Sequence, residues 1–199
     1  MTTTASPIGR PRDPAKDAAV LAAARELLVE AGFAGTTVVA VARRARVGAP
    51  TIYRRWATRE ALIEDAAFGH PQPAAMPEPT GDLHNDLLGW TRAFLGWLAD
   101  PVTRAALPGL LAAYHRDDEL YERLVLRSEQ DVRALLTGVL ARALPGLAPP
   151  ELQRRSTAVF DFLVASTAVR AMTRGLTDAE SYCATTTRSL TVLAVGAWD

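Results

Sequence analysis

Six arginines and no acidic residue fall in the 24 residues from Thr36 to Arg59, TTVVAVARRARVGAPTIYRRWATR. Fixed cations at that density suit one kind of chemistry. Arginine forks pair with guanine edges or clamp phosphate oxygens, and threonine and tyrosine hydroxyls set register on a phosphate backbone. A solvated helix surface usually mixes charge signs, so an acid-free run points to a polyanion. Two short helices joined by a tight turn have to present these side chains. Val38, Val41, Ala42 and Ala45 recur at i, i+3, i+4 and i+7, with Thr36 or Thr37 placed to cap them. Gly48 interrupts the pattern, and Ala49 to Trp56 reads as a second helix with Pro50 in its first turn. Ile52 and Trp56 then point inward, leaving Thr51, Arg54 and Arg55 outward and Tyr53 at the edge. Helix, glycine turn, helix is the layout of a helix-turn-helix unit, whose second helix enters the major groove of DNA. On this reading Thr51, Arg54 and Arg55 meet bases. Thr37, Tyr53, Arg43 and Arg44 meet phosphates, and Thr36, Ala49 and Pro50 lie against the duplex at the two helix starts.

The stretch TTVVAVARRARVGAPTIYRRWATREAL resembles the DNA-binding motif of the TetR family of bacterial transcriptional regulators. Its most specific part is VGAPTIYRRW, and the likeness runs from about Asp13 to Phe68. Gly48 stands where many relatives carry a capping serine. The resemblance implies an all-α homodimer with a three-helix N-terminal DNA-binding domain and a larger C-terminal helical bundle that binds an effector and dimerises. It also implies that Arg59 contacts the DNA backbone and that the fourth helix carries the ligand signal.

The charge distribution fits that division. The chain has 199 residues and zero formal net charge. Residues 1–70 carry ten basic and seven acidic residues, and the remainder twelve and fifteen, so a basic end sits on a mildly acidic body. Lys16 is the only lysine and Cys183 the only cysteine, so an intrachain disulfide is excluded. Residues 1–16 lack an apolar signal core. The most apolar stretch, Ala158 to Met172, is short for a bilayer and contains Asp161 and Arg170. The expectation is a soluble, cytoplasmic protein with no membrane partner.

Four segments are expected: a basic arm over 1–12, the DNA-binding domain over 13–68, a proline-rich linker over 69–82 and the effector-binding and dimerisation domain over 83–199. Gly9-Arg10-Pro11-Arg12 in the arm suits either a minor groove or a plain disordered tail. Asp13-Pro14 starts a helix that Gly32 stops, with Phe33 as a plug beneath the two reading helices. Lys16 and Arg25 on it touch phosphates or are plain solvated surface. Thr58 caps a fourth helix. The linker, GHPQPAAMPEPTG over 69–81, holds four prolines and reads as a loop. Helices follow from Leu83 to near Asp100, from Pro101 to near His115, from Asp117 to near Leu144, and from Pro149 to near Arg174. A last helix starts at a Thr177–Glu180 capping box and continues to near Gly196. The last two are apolar enough to build a symmetric four-helix interface, the final one through Ala179, Tyr182, Cys183, Thr186, Leu190 and Leu193.

No catalytic or metal-ligating constellation stands out. His70, His84 and His115 are scattered, His84-Asn85-Asp86 reads as a surface helix start, and Cys183 lies on an apolar face. No cofactor is expected. An effector pocket is expected among the aromatic residues of the body: Trp90, Phe94, Trp97, Leu111, Tyr114, Phe160, Phe162 and Met172. Few charges fall on those positions, which suggests an apolar or aromatic ligand. The sequence therefore predicts a ligand-responsive regulator, a repressor, binding a palindromic DNA operator as a homodimer through its last two helices.

Overall fold

A computed structural model of the chain describes residues 14–69, 76–122 and 127–197. The predicted arm over 1–12 lies outside them, as do Asp13 and His70. The described residues form helices and connecting turns: α1 Pro14–Gly35, α2 Val38–Ala45, α3 Ala49–Tyr53, α4 Arg59–Phe68, α5 Leu83–Leu98, α6 Pro101–Tyr114, α7 Asp118–Tyr121, α8 Arg127–Ala143, α9 Pro149–Thr173 and α10 Ala179–Val195. The fold is all-α. Among the described residues, no helix is long and apolar enough to cross a membrane.

Five of the described helices are capped by a local side chain. Thr37 accepts from the Ala40 amide, Thr58 from Ala61, Asp82 from Asn85, Asp100 from Val102 and Thr103, and Asp117 from Leu120. Gly32 breaks α1 near its end with φ 67°, a left-handed angle that glycine adopts at little cost. The expected capping box of the last helix does not form. Asp178 takes the N-cap position in a left-handed conformation with no side-chain cap bond, and Glu180 pairs with Arg92 instead. The single helix expected from Asp117 to Leu144 is represented by α7 and α8, with 123–126 outside the described residues.

Two apolar cores divide the molecule. One gathers α1 to α4 around Leu28, Val41, Ile52, Leu62 and Ile63, and takes in Val102, Ala106, Leu110 and Tyr114 of α6. The other joins α5, α8, α9 and α10 around Trp90, Leu136, Leu140, Phe160 and Leu163, and takes in Leu107 of α6. Helix α6 thus belongs to both cores, though in sequence it lies far beyond the proline-rich linker. Its contact with the N-terminal unit is close. A Cβ added at Gly109 would overlap the Phe33 ring, so only glycine gives that ring its seat on α6. The end of the linker is also tied down. Asp86, read above as surface, is 4% exposed. It accepts from the Thr80 amide and hydroxyl at 2.7 Å each and from the Gly81 amide at 3.3 Å.

Candidate nucleic-acid interface and effector cavity

The reading helix α3 is shorter than expected. After Tyr53 the chain tightens into a turn, with Arg55 N donating to Ile52 O at 2.8 Å rather than one residue further back. Ile52 and Trp56 are buried as predicted. The tightening rotates Arg55 off the outer face. Its guanidinium meets Asp17 of α1 at 3.2 Å and its side chain is 23% exposed, so the expectation that it points outward is corrected. Arg54 does face out, and its guanidinium donates to Thr51 Oγ1 at 3.0 Å, which fixes both side chains on one surface. Tyr53 and Pro50 are exposed beside them, with Ala49 and Thr51 half-buried.

On α2, Thr37 is exposed at the N-cap, while Thr36 is buried and donates its hydroxyl to Gly32 O at 2.8 Å. Thr36 therefore belongs to the turn that joins α1 to α2, with its hydroxyl spent inside the protein. Arg44 is held between Glu30 at 2.7 Å and Glu26 at 3.4 Å. The hydrogen bond from Arg44 holds the Glu30 carboxyl below the usual range and raises the Arg44 guanidinium. Arg43 is exposed and bears no carboxylate partner among the described residues, and the same is true of Arg46. Arg46 was not selected from the sequence. Its mark there is that it follows the last apolar position of α2 by one residue. It closes that helix in a left-handed conformation, φ 55°.

Arg59 is bound within the protein. Its Nε donates to Thr36 O at 2.8 Å, and one guanidinium nitrogen donates to Phe33 O. The guanidinium plane lies 4.3 Å from the centre of the Phe33 ring. These carbonyls sit where α1 ends, a place that favours a cation. Arg59 thus clamps the α1–α2 corner to α4.

Helix α4 connects this surface to the body by several ties. Trp56 Nε1 donates to Asp65 at 2.9 Å, and Arg25 donates to Ala66 O at 2.7 Å. Thr103 donates to Ala67 O at 3.1 Å, and the Tyr114 hydroxyl donates to Glu64 at 2.9 Å. Burial and the charge of Glu64 push the Tyr114 hydroxyl well above its ordinary value, so it remains a donor.

Behind α4 lies a cavity of about 670 Å³. Phe94, Trp97, Leu111, Tyr114 and Phe160 line it as the sequence suggested. The other three expected residues do not. Trp90 is sealed behind Phe94, ring centres 6.0 Å apart. Phe162 is 42% exposed on the far side of α9. Met172 lines a separate surface depression with Pro101 and Arg104. The walls are also less neutral than expected, because Arg25, Glu64, Asp100 and Glu129 contribute to them. Both glutamates were visible as acids on apolar faces: Glu64 beside Ile63 and Ala67, and Glu129 leading Val132 and Leu136 at helical spacing.

The comparison with known proteins now decides the family. Residues 20–66 match the family described as bacterial regulatory proteins, tetR family, and residues 77–190 match the tetracyclin repressor-like C-terminal domain. The chain belongs to the TetR family. This TetR-family protein is a DNA-binding helix-turn-helix transcriptional regulator. It is 32% identical over 137 residues to the uncharacterised HTH-type transcriptional regulator YdeS of Bacillus subtilis (strain 168), covering 68% of each chain. It is 30% identical to the DNA-binding transcriptional repressor TetR of Mycobacteroides abscessus, over 57% of this chain and 60% of that protein. Among solved structures, the TetR family transcription regulator SCO0332 is 28% identical, with a TM-score of 0.64 over 92% of this chain and 99% of that one. The fold also matches a transcriptional regulator from Pseudomonas aeruginosa PAO1, with a TM-score of 0.69 at 19% identity over 94% of each chain.

Proposed function

We propose that this TetR-family regulator represses transcription by binding a palindromic operator as a homodimer, and that a small aromatic effector entering the cavity behind α4 releases it. The observation that carries the DNA reading is the outward surface of Arg43, Arg46 and Arg54. They face solvent with no carboxylate partner among the described residues, while Arg44 is paired on the surface with Glu26 and Glu30, and Arg55 and Arg59 are half-buried with partners within the chain. Arg54 and Thr51, joined by their hydrogen bond, are placed to meet base edges. Thr37, Tyr53, Arg43 and Arg46 are placed to meet phosphates, with Ala49 and Pro50 at the start of the reading helix.

The homodimer is supported by an apolar stripe that α9 and α10 leave in solvent. Phe162 and Val169 on α9 and Val192 and Val195 on α10 are between 42% and 66% exposed. The α10 face chosen from the sequence, including Cys183, Thr186 and Leu190, is buried within the protomer instead. The interface therefore uses the opposite side of the same helices. A two-fold axis there would present two reading helices to a two-fold operator.

Titrating a labelled duplex from the gene's own upstream region tests the DNA reading. Arg54→Ala is expected to weaken specific binding by about 1–3 kcal/mol, and Arg43→Ala to weaken all sequences alike while reducing the salt slope by about one. Arg142→Ala, on the exposed surface of α8, is the control. Unchanged affinity in both reading-surface variants removes that surface from the DNA interface.

A further inference from the structure

We propose that Val39 is a specificity-determining residue, which reads the 5-methyl group of a thymine at the edge of each operator half-site. This rests on the DNA reading of the arginine surface and adds a base that the arginines do not select.

Val39 is the most exposed large apolar side chain among the described residues, at 73%. It stands in the first turn of α2, two residues after the N-cap Thr37. The fold draws little from a valine there. The buried side of the helix is made by Val38, Val41 and Ala42. A β-branched side chain is a poorer helix former than alanine, and a first turn favours an acid, yet α2 has no acid in its first turn.

The helix also fixes which way Val39 faces. Each residue advances the helix by about 100°. Arg44 is drawn to one flank by Glu26 and Glu30 of α1. Val39 and Arg43, one turn apart, fall on the other flank. Carboxylates make the α1 flank hostile to a polyanion, whereas α2 and α3 themselves carry no acidic residue. The flank of Val39 is therefore the one a duplex approaches, with exposed Arg43 and Arg46 beside it for phosphates.

The chemistry then narrows what an alkyl group can read. Valine has no side-chain donor or acceptor, so it cannot select a base by hydrogen bonding. The major-groove feature it fits is the thymine methyl. That methyl stands at the outer end of its base edge, nearest its own sugar. The first helix of a helix-turn-helix unit crosses the backbone, so a side chain on its first turn meets that end of the base first. Taking one methyl out of water corresponds to about three- to tenfold in affinity for each half-site.

The test uses the full-length chain to select duplexes from a randomised pool. The tightest is remade with deoxyuridine in place of each thymine in turn, which removes only the methyl, and binding is followed by anisotropy of the fluorescein-labelled duplex. The parent is expected to lose about three- to tenfold at one thymine of each half-site. Val39→Ala is expected to bind the thymine duplex as weakly as the parent binds that deoxyuridine duplex, and to lose nothing more when the methyl is removed. Alanine is the better helix former, so the variant is expected to unfold at the same temperature or slightly higher, which separates a lost contact from a lost fold. Val39→Thr keeps the shape and one methyl and is expected to fall between. A deoxyuridine loss of equal size in parent and Val39→Ala assigns the methyl to another residue and overturns the proposal. A Val39→Ala loss that is the same for every duplex marks a sugar or phosphate contact and overturns it too. Unchanged binding by Val39→Ala overturns it while leaving the surface of Arg43, Arg46 and Arg54 standing. Failure to retain any duplex from the pool removes the DNA reading of that surface, and the proposal with it.

Discussion

Arg59→Ala separates two roles that a sequence alone assigns in only one way. If Arg59 served the DNA backbone, removing it would leave the fold intact and weaken binding through the lost phosphate contact. The structure predicts the reverse. Arg59 donates to Phe33 O and Thr36 O and stacks on the Phe33 ring. Each charged hydrogen bond contributes on the order of 1.5–3 kcal/mol, and a cation over an aromatic face about 0.5–1 kcal/mol. The side chain is 27% exposed, so water replaces part of what is lost. The net expectation is a loss of about 2–4 kcal/mol, out of the 5–15 kcal/mol typical of a folded protein. For a chain of this size the melting temperature would fall by roughly 5–15 °C.

The assay is urea denaturation at one fixed protein concentration, because the midpoint of any self-associating protein depends on concentration. It is paired with operator affinity measured at several salt concentrations. Arg59→Lys is informative as a second variant, since an ammonium cannot bridge two carbonyls and stack at once. It is expected to fall between Ala and the parent. The reasoning fails if the denaturation midpoint stays put while the salt slope of DNA binding drops by about one, the signature of one lost phosphate contact.

Gly109→Ala places a methyl where the Phe33 ring lies, and overpacking of that kind is expected to cost about 1–3 kcal/mol by thermal unfolding. Phe33→Leu in the same chain should recover part of it, and the lack of any recovery would show that the two do not meet. Tyr114→Phe removes a donor to buried Glu64 and is expected to lower stability by about 1–3 kcal/mol, read by urea denaturation; an unchanged midpoint would show that this bond adds nothing to the fold. Phe162→Arg puts a charge on the exposed α9 stripe and should shift the mass measured by light scattering from dimer to monomer, while a dimer that persists moves the interface elsewhere.

How much of this was legible in the sequence depended on the range of the interaction. Features set within one turn were readable: the caps at Thr37, Thr58, Asp100 and Asp117, the break at Gly32, and the inward pair Ile52 and Trp56. Roles set by distant partners were not. Arg59 answers to carbonyls 23 and 26 residues earlier, and their positions are set by the break in α1. Arg55 was misjudged because α3 tightens after Tyr53, a change of phase that no side-chain pattern announces. The 25-residue α9 is apolar on most sides, so its sequence has no contrast from which to assign a phase. Phe160 and Phe162 were accordingly placed together, though one lines the cavity and the other faces solvent. The buried acids escaped because attention to apolar faces passes over the polar residue set within them.

Those buried acids also bear on how a ligand would act at a distance. Glu64, Ala67 and Phe68 bring α4 to the cavity, and residues 65 to 67 of that helix are tied to different elements: Asp65 to Trp56 beside the reading helix, Ala66 to Arg25 on α1, and Ala67 to Thr103 on α6. A ligand that reached Glu64 would compete with Tyr114 for it, and α4 would lose one of its bonds to α6. Of the remaining ties, those of Asp65 and Ala66 run to the N-terminal unit and that of Ala67 runs to α6, so the balance would move toward the N-terminal unit. Close-packed cores pass such a shift on instead of absorbing it. The requirement is modest. A coupling of about 1–3 kcal/mol alters DNA affinity by roughly 5- to 150-fold, which is comparable to one charged hydrogen bond exchanged at Glu64. By linkage, operator DNA must weaken effector binding by the same factor.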